Sequence, residues 1–459
     1  MPAPPAAPPA LDHVWVLPVL DRWLVCGPLS DTAALVNRSA VEDLRRGAAA
    51  DGLAPLRREL ADAGPAPVMP GGPPAPQFLG LLPTRACNLG CVYCGFDADG
   101  APGGTMDPRL AAAAVDWMAR QMVAQGGAIL PVHFFGGEPL AAPDVVEVAV
   151  HRARWVAARQ GLRPYFEIAT NGVTERRLAE FLGDCFDTVV LSCDGPPAIH
   201  DTLRPRRGGQ ATGAEVEATA RVLAAADAKL CLRVCVTSDT VAALGATVDW
   251  FCEEFGPSVI AIETLQETAA SRAAGLRPPE PLAMADQTLT AVRRGRARGV
   301  EVVYAAAYGG PRWTFCPVGN DCLIVSPDGR VSGCYLPRAS WRQRGLDLDL
   351  GWFSLERGME LDPAAIDRLR RLPGDKPRCR GCFCRWTCAG ACHVNHSFPG
   401  CSEAYDDFCR QTRLITAGLL LDQLGCADLI DALLRDQAAG RRLAEAPSDR
   451  LVDWEPRRG

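Results

Sequence analysis

Between residues 78 and 265, six short apolar runs alternate with helical stretches, and no other feature narrows the fold so far. The runs are FLGLLPT (78–84), AILPVHFFG (128–136), PYFEIATN (164–171), TVVLSCD (188–194), LCLRVCVT (230–237) and SVIAIETL (258–265). They show little apolar–polar alternation, as expected of strands covered on both faces. Helical stretches such as DPRLAAAAVDWMARQMVAQ lie between them. Strands separated in this way return through crossovers and build a parallel sheet. The predicted class is α/β, a partial (β/α)6 TIM-type barrel over residues 78–300. Functional groups in such folds sit at the carboxyl ends of the strands. The polar oddities fall there: Cys87, Cys91 and Cys94 after the first strand, FGGEP after the second, ATNG after the third and SCDG after the fourth.

The flanks read differently. Residues 1–12 are Pro/Ala-rich and expected to be disordered. Residues 13–63 read as a small α+β unit, with strands in VWVLPVL, RWLVCG and TAALV, a helix capped by Ser39, and a second helix in LAPLRRELADA. Residues 64–77 are a Pro/Gly linker. Residues 301–410 are cysteine-dense and turn-rich, with a hairpin predicted in LIVSPDGRVSGCY around Ser-Pro-Asp-Gly. Residues 411–459 read as a helix or helix pair and a loose charged tail.

Net charge is −6, so no global basic field invites nucleic acid or an anionic membrane. No run reaches the ~18 apolar residues of a membrane span, and no secretory signal opens the chain. The expected compartment is the cytoplasm. In that reducing setting, 20 cysteines point to metal or redox chemistry rather than disulfides. Lysine occurs only at Lys229 and Lys376, against abundant arginine.

Cys87, Cys91 and Cys94 stand in the spacing C-x3-C-x2-C within RACNLGCVYCGF. Four thiolates close a metal centre, whereas three leave a position open for chemistry. This motif after the first strand of a partial barrel, with Tyr93 before its last cysteine, resembles the radical SAM superfamily. The resemblance implies a 4Fe-4S cluster on the three cysteines, with S-adenosylmethionine chelating the open iron and yielding a 5′-deoxyadenosyl radical. It also implies cofactor contacts from Gly136, Gly137 and Glu138 of GGEP, from Asn171 of ATNG, from Ser192 and Asp194 of LSCDG, and from Arg204.

The later cysteines include the core C-x2-C-x5-C-x3-C, Cys379 to Cys392, with Cys316, Cys322 and Cys334 upstream and Cys409 downstream. This pattern resembles the SPASM domain of radical SAM peptide-modifying enzymes. The resemblance implies two closed auxiliary 4Fe-4S clusters, one on Cys316, Cys322, Cys334 and Cys392, the other on Cys379, Cys382, Cys388 and Cys409. That makes three clusters in all. Two zinc sites are the competing reading of the same thiols. Cys384 and Cys401 lie in the same region as alternative ligands, and Cys193, Cys231, Cys235 and Cys252 read as buried apolar residues.

A radical generator beside an electron relay suits oxidative chemistry on a peptide. The expected activity is maturation of a ribosomally made precursor peptide by a carbon–carbon or thioether cross-link, with a flavodoxin or ferredoxin type reductant. A sulfatase-maturing, formylglycine-generating enzyme is the alternative, and an iron–sulfur electron carrier the non-enzyme one. Sulfatase-maturing enzymes carry an aspartate directly after the third cysteine of the first auxiliary cluster. Here that residue is Tyr335, with Asp321, Asp328 or Tyr335 itself as substitute bases. The unit at 13–63 resembles a leader-peptide recognition element in its order of elements. His133, Glu263 and Gln266 are the expected substrate-facing side chains.

Overall fold

The computed structural model describes residues 11–47, 52–96, 104–307, 309–316, 318–319, 321–374, 376–395, 405–446 and 448–455. Two sheets organise them. The larger begins with β4 (Leu79–Leu81), β5 (Ile129–Phe134), β6 (Arg163–Thr170), β7 (Thr188–Ser192), β8 (Lys229–Val236), β9 (Val259–Thr264) and β10 (Glu301–Tyr304). These seven strands lie parallel and in chain order. The six expected strands are all present. The seventh, β10, falls in the segment assigned to the cysteine-rich region, and its four residues leave no pattern to read.

The strands alternate more than their sequences suggest. Phe166, Ile168 and Thr170 of β6 are buried outward, while Tyr165, Glu167 and Ala169 are only partly covered. In β8, Leu232, Val234 and Val236 are buried and Arg233 and Cys235 are half-buried between them. The same period of two runs through β5 and β9. One side of the sheet is therefore sealed core and the other an accessible inner wall.

On its other edge β4 pairs in parallel with β11 (Leu323–Val325), which turns through the expected hairpin into β12 (Arg330–Ser332). β13 (Asp349–Ser354) and β14 (Gly358–Leu361) continue the same sheet. The cysteine-rich region thus grows directly from the first barrel strand. The 64–77 segment is tied down too. Arg370, 3% exposed, donates to the carbonyls of Gly72 (2.8 Å) and Pro73 (3.4 Å) and clasps Asp321, whose carboxylate accepts from Ala75 N at 3.0 Å. Arg370→Ala should lower unfolding free energy by about 3 kcal/mol, because it leaves the Asp321 carboxylate buried without its partner. Urea denaturation measures this.

The smaller sheet has the order β15-β1-β2-β3, from β1 (Trp15–Val19), β2 (Arg22–Gly27), β3 (Thr32–Val36) and β15 (Asp449–Arg450). The expected loose tail is therefore corrected. After the helices Asp407–Gln423, Ala427–Arg435 and Gln437–Glu445 the chain returns to pair with β1, and Trp454 sets edge-on against Trp23 at 5.4 Å. Apolar Leu451 and Trp454 are both 1% exposed, which outweighs the charge around them. The disorder expected at the start falls on residues 1–10, outside the described residues, and Leu11 is buried. The first helix, Arg38–Arg46, is capped by Asn37 rather than Ser39: Asn37 Oδ1 accepts from Ala40 N at 2.9 Å. Among the described residues no helix is long and apolar enough to cross a membrane.

Candidate active site

The cysteine loop follows β4 and is held on two sides. Gly90 N donates to Pro205 O at 2.8 Å, Val92 N to Leu203 O at 3.0 Å, and Arg207 Nε to Cys87 O at 3.0 Å. Two sulfurs accept backbone N–H groups, Cys87 from Leu89 and Cys94 from Phe96, each at 3.4 Å. Burial pushes the Cys91 thiol up to about 12, with Arg204 opposing and the charges of Cys94 and Cys87 adding to it. Three soft sulfurs on one loop, two of them with amide donors, are the ligand chemistry of an iron–sulfur cluster.

Asp194 organises the next layer. One carboxylate oxygen accepts from Tyr93 Oη (2.6 Å) and Arg204 Nε (2.8 Å), the other from Cys235 N (2.9 Å) and Arg204 Nη2 (3.2 Å). Burial alone would raise its pKa, but Arg204, Tyr93 and the Cys235 N–H together hold it below the ordinary 3.8. The Asp194 acceptors are thus engaged within the protein. His200 Nδ1 accepts from Asp194 N at 3.3 Å, and burial pushes this histidine down to about 4, so it is neutral. Ser192 Oγ accepts from Arg233 Nη2 at 3.3 Å.

GGEP serves the cysteine loop directly. Gly137 N donates to Thr84 O (3.1 Å) and Glu138 N to Ala86 O (2.8 Å). A Cβ on Gly136 would lie 2.6 Å from Thr84 O, and one on Gly137 2.2 Å from Ala86 O. The glycines admit the cysteine-loop backbone, where the sequence reading has them admit a ligand. Glu138 is 2% exposed and accepts from Leu140 N (3.0 Å), Thr170 Oγ1 (2.8 Å) and Asn171 N (2.7 Å). Burial raises its pKa against these three donors. Asn171 in turn donates to Asn88 Oδ1 at 2.8 Å and lies 3.6 Å from Cys87 Sγ. Sequence reading missed Thr170 and Asn88, which close this network.

It also missed charges on the inner wall. Glu167 and Arg233 join Glu263 there, and the first two interrupt the apolar interiors of β6 and β8, a signal that was available. The protein mass around the inner wall raises the carboxyl pKa of both Glu167 and Glu263, with Arg233 opposing, although Glu263 itself is open to the interior space. His133 stacks on Phe78 at 4.3 Å with Nδ1 3.8 Å from Glu167, and burial pushes it down to about 4. Gln266 bends back toward Thr264 O at 3.4 Å. Tyr335 lies against Phe135, ring centroids 4.9 Å apart, in space left by Gly80, whose Cβ would meet its hydroxyl at 2.8 Å. Of the other substitute bases, Asp321 is held by Arg370, and Asp328 is 55% exposed on the hairpin beside Arg330.

The later cysteines fall into two neighbourhoods. Burial comes first for Cys316, Cys322 and Cys334; behind it, Cys316 raises Cys322 and Cys334, and Cys392 raises Cys316 and Cys334. In the second, burial again leads, and Cys379, Cys388 and Cys409 each feel Cys382. Cys382 is drawn down to about 5, first by a hydrogen bond from Cys384 and then by Arg413. Cys379, Cys382, Cys384, Cys388 and Cys409 line one cleft. Cys401 lies outside the described residues. Among the described residues no three His, Cys, Asp or Glu side chains converge on one metal-ion position.

Residues 81–251 match the Radical SAM superfamily model. A PqqA peptide cyclase from Streptomyces rochei is 29% identical over 57% of this chain and 70% of its own. Among solved structures, native anSMEcpe with bound AdoMet and Cp18Cys peptide covers 76% of this chain and 98% of its own, with TM-score 0.60 and 19% identity. Streptococcus suis SuiB bound to precursor peptide SuiA covers 84% and 95%, with TM-score 0.51 and 12% identity. The last two are likenesses of fold alone.

Proposed function

We propose, from the radical SAM domain that residues 81–251 carry, that this chain oxidatively cross-links a ribosomally made precursor peptide. Two hydrogens leave the peptide and one carbon–carbon or thioether bond forms. Cys87, Cys91 and Cys94 would hold a 4Fe-4S cluster that shares its open iron with S-adenosylmethionine. When bound, these groups supply a 5′-deoxyadenosyl radical. The observation that carries the reading is the placement of three thiols, GGEP and the Asp194–Arg204–Tyr93 cluster on one rim, above an inner wall bearing Glu167, Arg233 and Glu263. The named activity of the PqqA peptide cyclase relative supports the peptide as substrate class.

Within that rim, Asp194 and Glu138 act as positioning residues. Asp194 fixes Arg204 and Tyr93, and Glu138 fixes the Asn171 turn. The eight later cysteines would hold two auxiliary clusters that pass on the electron released when the bond closes, with a flavodoxin or ferredoxin type partner as reductant. Against two zinc sites, no three of these side chains among the described residues converge on one metal-ion position, which suits a four-iron cube with ligands at its corners better than a single ion at each quartet. The formylglycine alternative expects an aspartate where Tyr335 stands; Asp321 is held by Arg370, Asp328 is exposed on the hairpin, and burial lifts the Tyr335 hydroxyl above its ordinary 10.

Glu167 and Glu263 are better placed to take the departing proton, because a raised carboxyl pKa makes a stronger base. The critical variant, Glu263→Gln or Glu167→Gln, should slow turnover by roughly 10²–10⁴-fold. Wild-type turnover should rise with pH through a midpoint above 4.5, since the base works only when ionised. A variant that keeps its rate and its acid limb removes that carboxylate from the chemistry.

The leader would dock on β3, the edge strand of the small sheet, whose opposite edge β15 already covers. Adding leader peptide should slow amide exchange at Thr32–Val36, and unchanged exchange there would place the leader elsewhere.

The decisive test uses anaerobically reconstituted protein. Roughly twelve irons in the wild type, and 5′-deoxyadenosine release that disappears in Cys87→Ala/Cys91→Ala/Cys94→Ala, are the expected results. Zinc in place of iron, or release indifferent to the triple substitution, overturns the reading.

A further inference from the structure

Lys376 is one of two lysines in the chain and is 4% exposed. Its ammonium donates to the carbonyl of Gly390 and, at 3.2 Å, to that of Ala391. These carbonyls belong to the three residues between Cys388 and Cys392. All three are left-handed, with φ of 47° at Ala389, 77° at Gly390 and 55° at Ala391. Such a conformation costs about 1–2 kcal/mol at each alanine, so the turn persists only where its surroundings hold it. A Cβ on Gly390 would lie 2.4 Å from Lys376 Cδ and 2.8 Å from Nζ. The glycine is what admits the ammonium.

The turn joins the two cysteine neighbourhoods: Cys388 belongs to one and Cys392 to the other. Burial lowers the Lys376 pKa below its ordinary 10.5, and Cys379 and Cys388 from one neighbourhood and Cys316 and Cys392 from the other offset part of that. Arg413 is different. It donates to Cys382 Sγ at 3.5 Å and Ser448 Oγ at 2.9 Å, so it serves the second neighbourhood alone.

We propose that Lys376 is a shared counter-charge which raises the reduction potentials of both auxiliary clusters together. This rests on the reading that each quartet holds a four-iron cluster. A cluster that accepts one electron gains one negative charge. A fixed cation beside it, in a medium of low dielectric, stabilises the reduced form. Standing between two clusters, the ammonium stabilises that electron on either one. It keeps the pair level for transfer and ready to accept from the barrel.

The test is an EPR-monitored redox titration of the auxiliary clusters, with dithionite as the one-electron donor. The Cys87→Ala/Cys91→Ala/Cys94→Ala background removes the first cluster. Lys376→Gln keeps an N–H for the two carbonyls while dropping the charge, and Lys376→Met drops both. Both variants should retain roughly eight irons, and both midpoints should fall by a tenfold or larger change in the reduction equilibrium, about 59 mV for one electron. Full iron with either midpoint unmoved overturns the proposal. Loss of iron in both variants also overturns it, since Lys376 would then be only a brace for the turn. A parent background that binds zinc, or no auxiliary iron, sinks the reading of the quartets and this inference with it, and the metal count separates that failure from the others.

Discussion

Asp194→Asn should leave Arg204 as a buried charge without its partner, and the enzyme should lose about 3–5 kcal/mol of stability. Arg204 is 8% exposed and Asp194 2%, so solvent cannot replace the lost carboxylate. Whichever oxygen becomes the N–H₂, it meets donors: Tyr93 Oη and Arg204 Nε on one side, or Cys235 N and Arg204 Nη2 on the other. Arg204 and the Tyr93 ring then lose the anchor that sets them beside the cysteine loop, and S-adenosylmethionine affinity should fall with stability. Tyr93→Phe deletes a single bond to the same carboxylate and should cost only about 1.5–3 kcal/mol. The pH dependence has a definite sign. The folded pKa of Asp194 lies below its ordinary 3.8, so the stabilisation is complete above about pH 3.8 and disappears as pH falls through the lower native value. Asp194→Asn should flatten that acid limb in anaerobic denaturation curves. An unchanged limb, with stability close to wild type, would show that Arg204 finds another partner.

The features legible in the sequence are those carried by short spans. Six apolar runs mark six of the seven parallel strands, because a strand packed against helices needs three or four consecutive suitable residues and little else. The turns after them are legible because a bend at the end of a buried strand requires glycine, asparagine or aspartate. What escaped depends on partners distant in the chain. The pairing of β4 with β11 joins residues 79–81 to 323–325, and the pairing of β1 with β15 joins the two ends of the chain. No local periodicity encodes either. The same holds for roles. Glu138 and Asp194 look like ligand contacts in isolation, yet their oxygens meet Thr170, Asn171, Arg204 and Cys235 once the strands are side by side. Charges that interrupt apolar strand interiors, Glu167 and Arg233, were readable by period two and mark the inner wall.

The glycines of GGEP give that dependence on distant partners its sharpest test. On Gly137 a Cβ would stand 2.2 Å from Ala86 O and 2.4 Å from Arg85 O. Both are backbone atoms immediately before Cys87, so no side-chain rotation relieves the contact. Either the GGEP turn or the cysteine loop must move by about an ångström, a misplacement that can cost about a hundredfold in rate. Gly137→Ala should lower overall stability by only about 1–3 kcal/mol, because the sheet beneath is untouched. It should nonetheless cut 5′-deoxyadenosine release about a hundredfold and reduce iron from roughly twelve to roughly eight per chain, since the auxiliary quartets do not touch this turn. Gly104→Ala, where nothing lies within 4 Å of the added Cβ, is the matched control and should change neither. A Gly137→Ala protein with full iron and full release would mean that the cysteine loop yields freely. Its lacing to residues 203–207, rather than its contact with GGEP, would then set the site. Loss of iron at the first site alone would mean that the second glycine of GGEP is required by the cysteine loop, independently of any contact it makes with the cofactor.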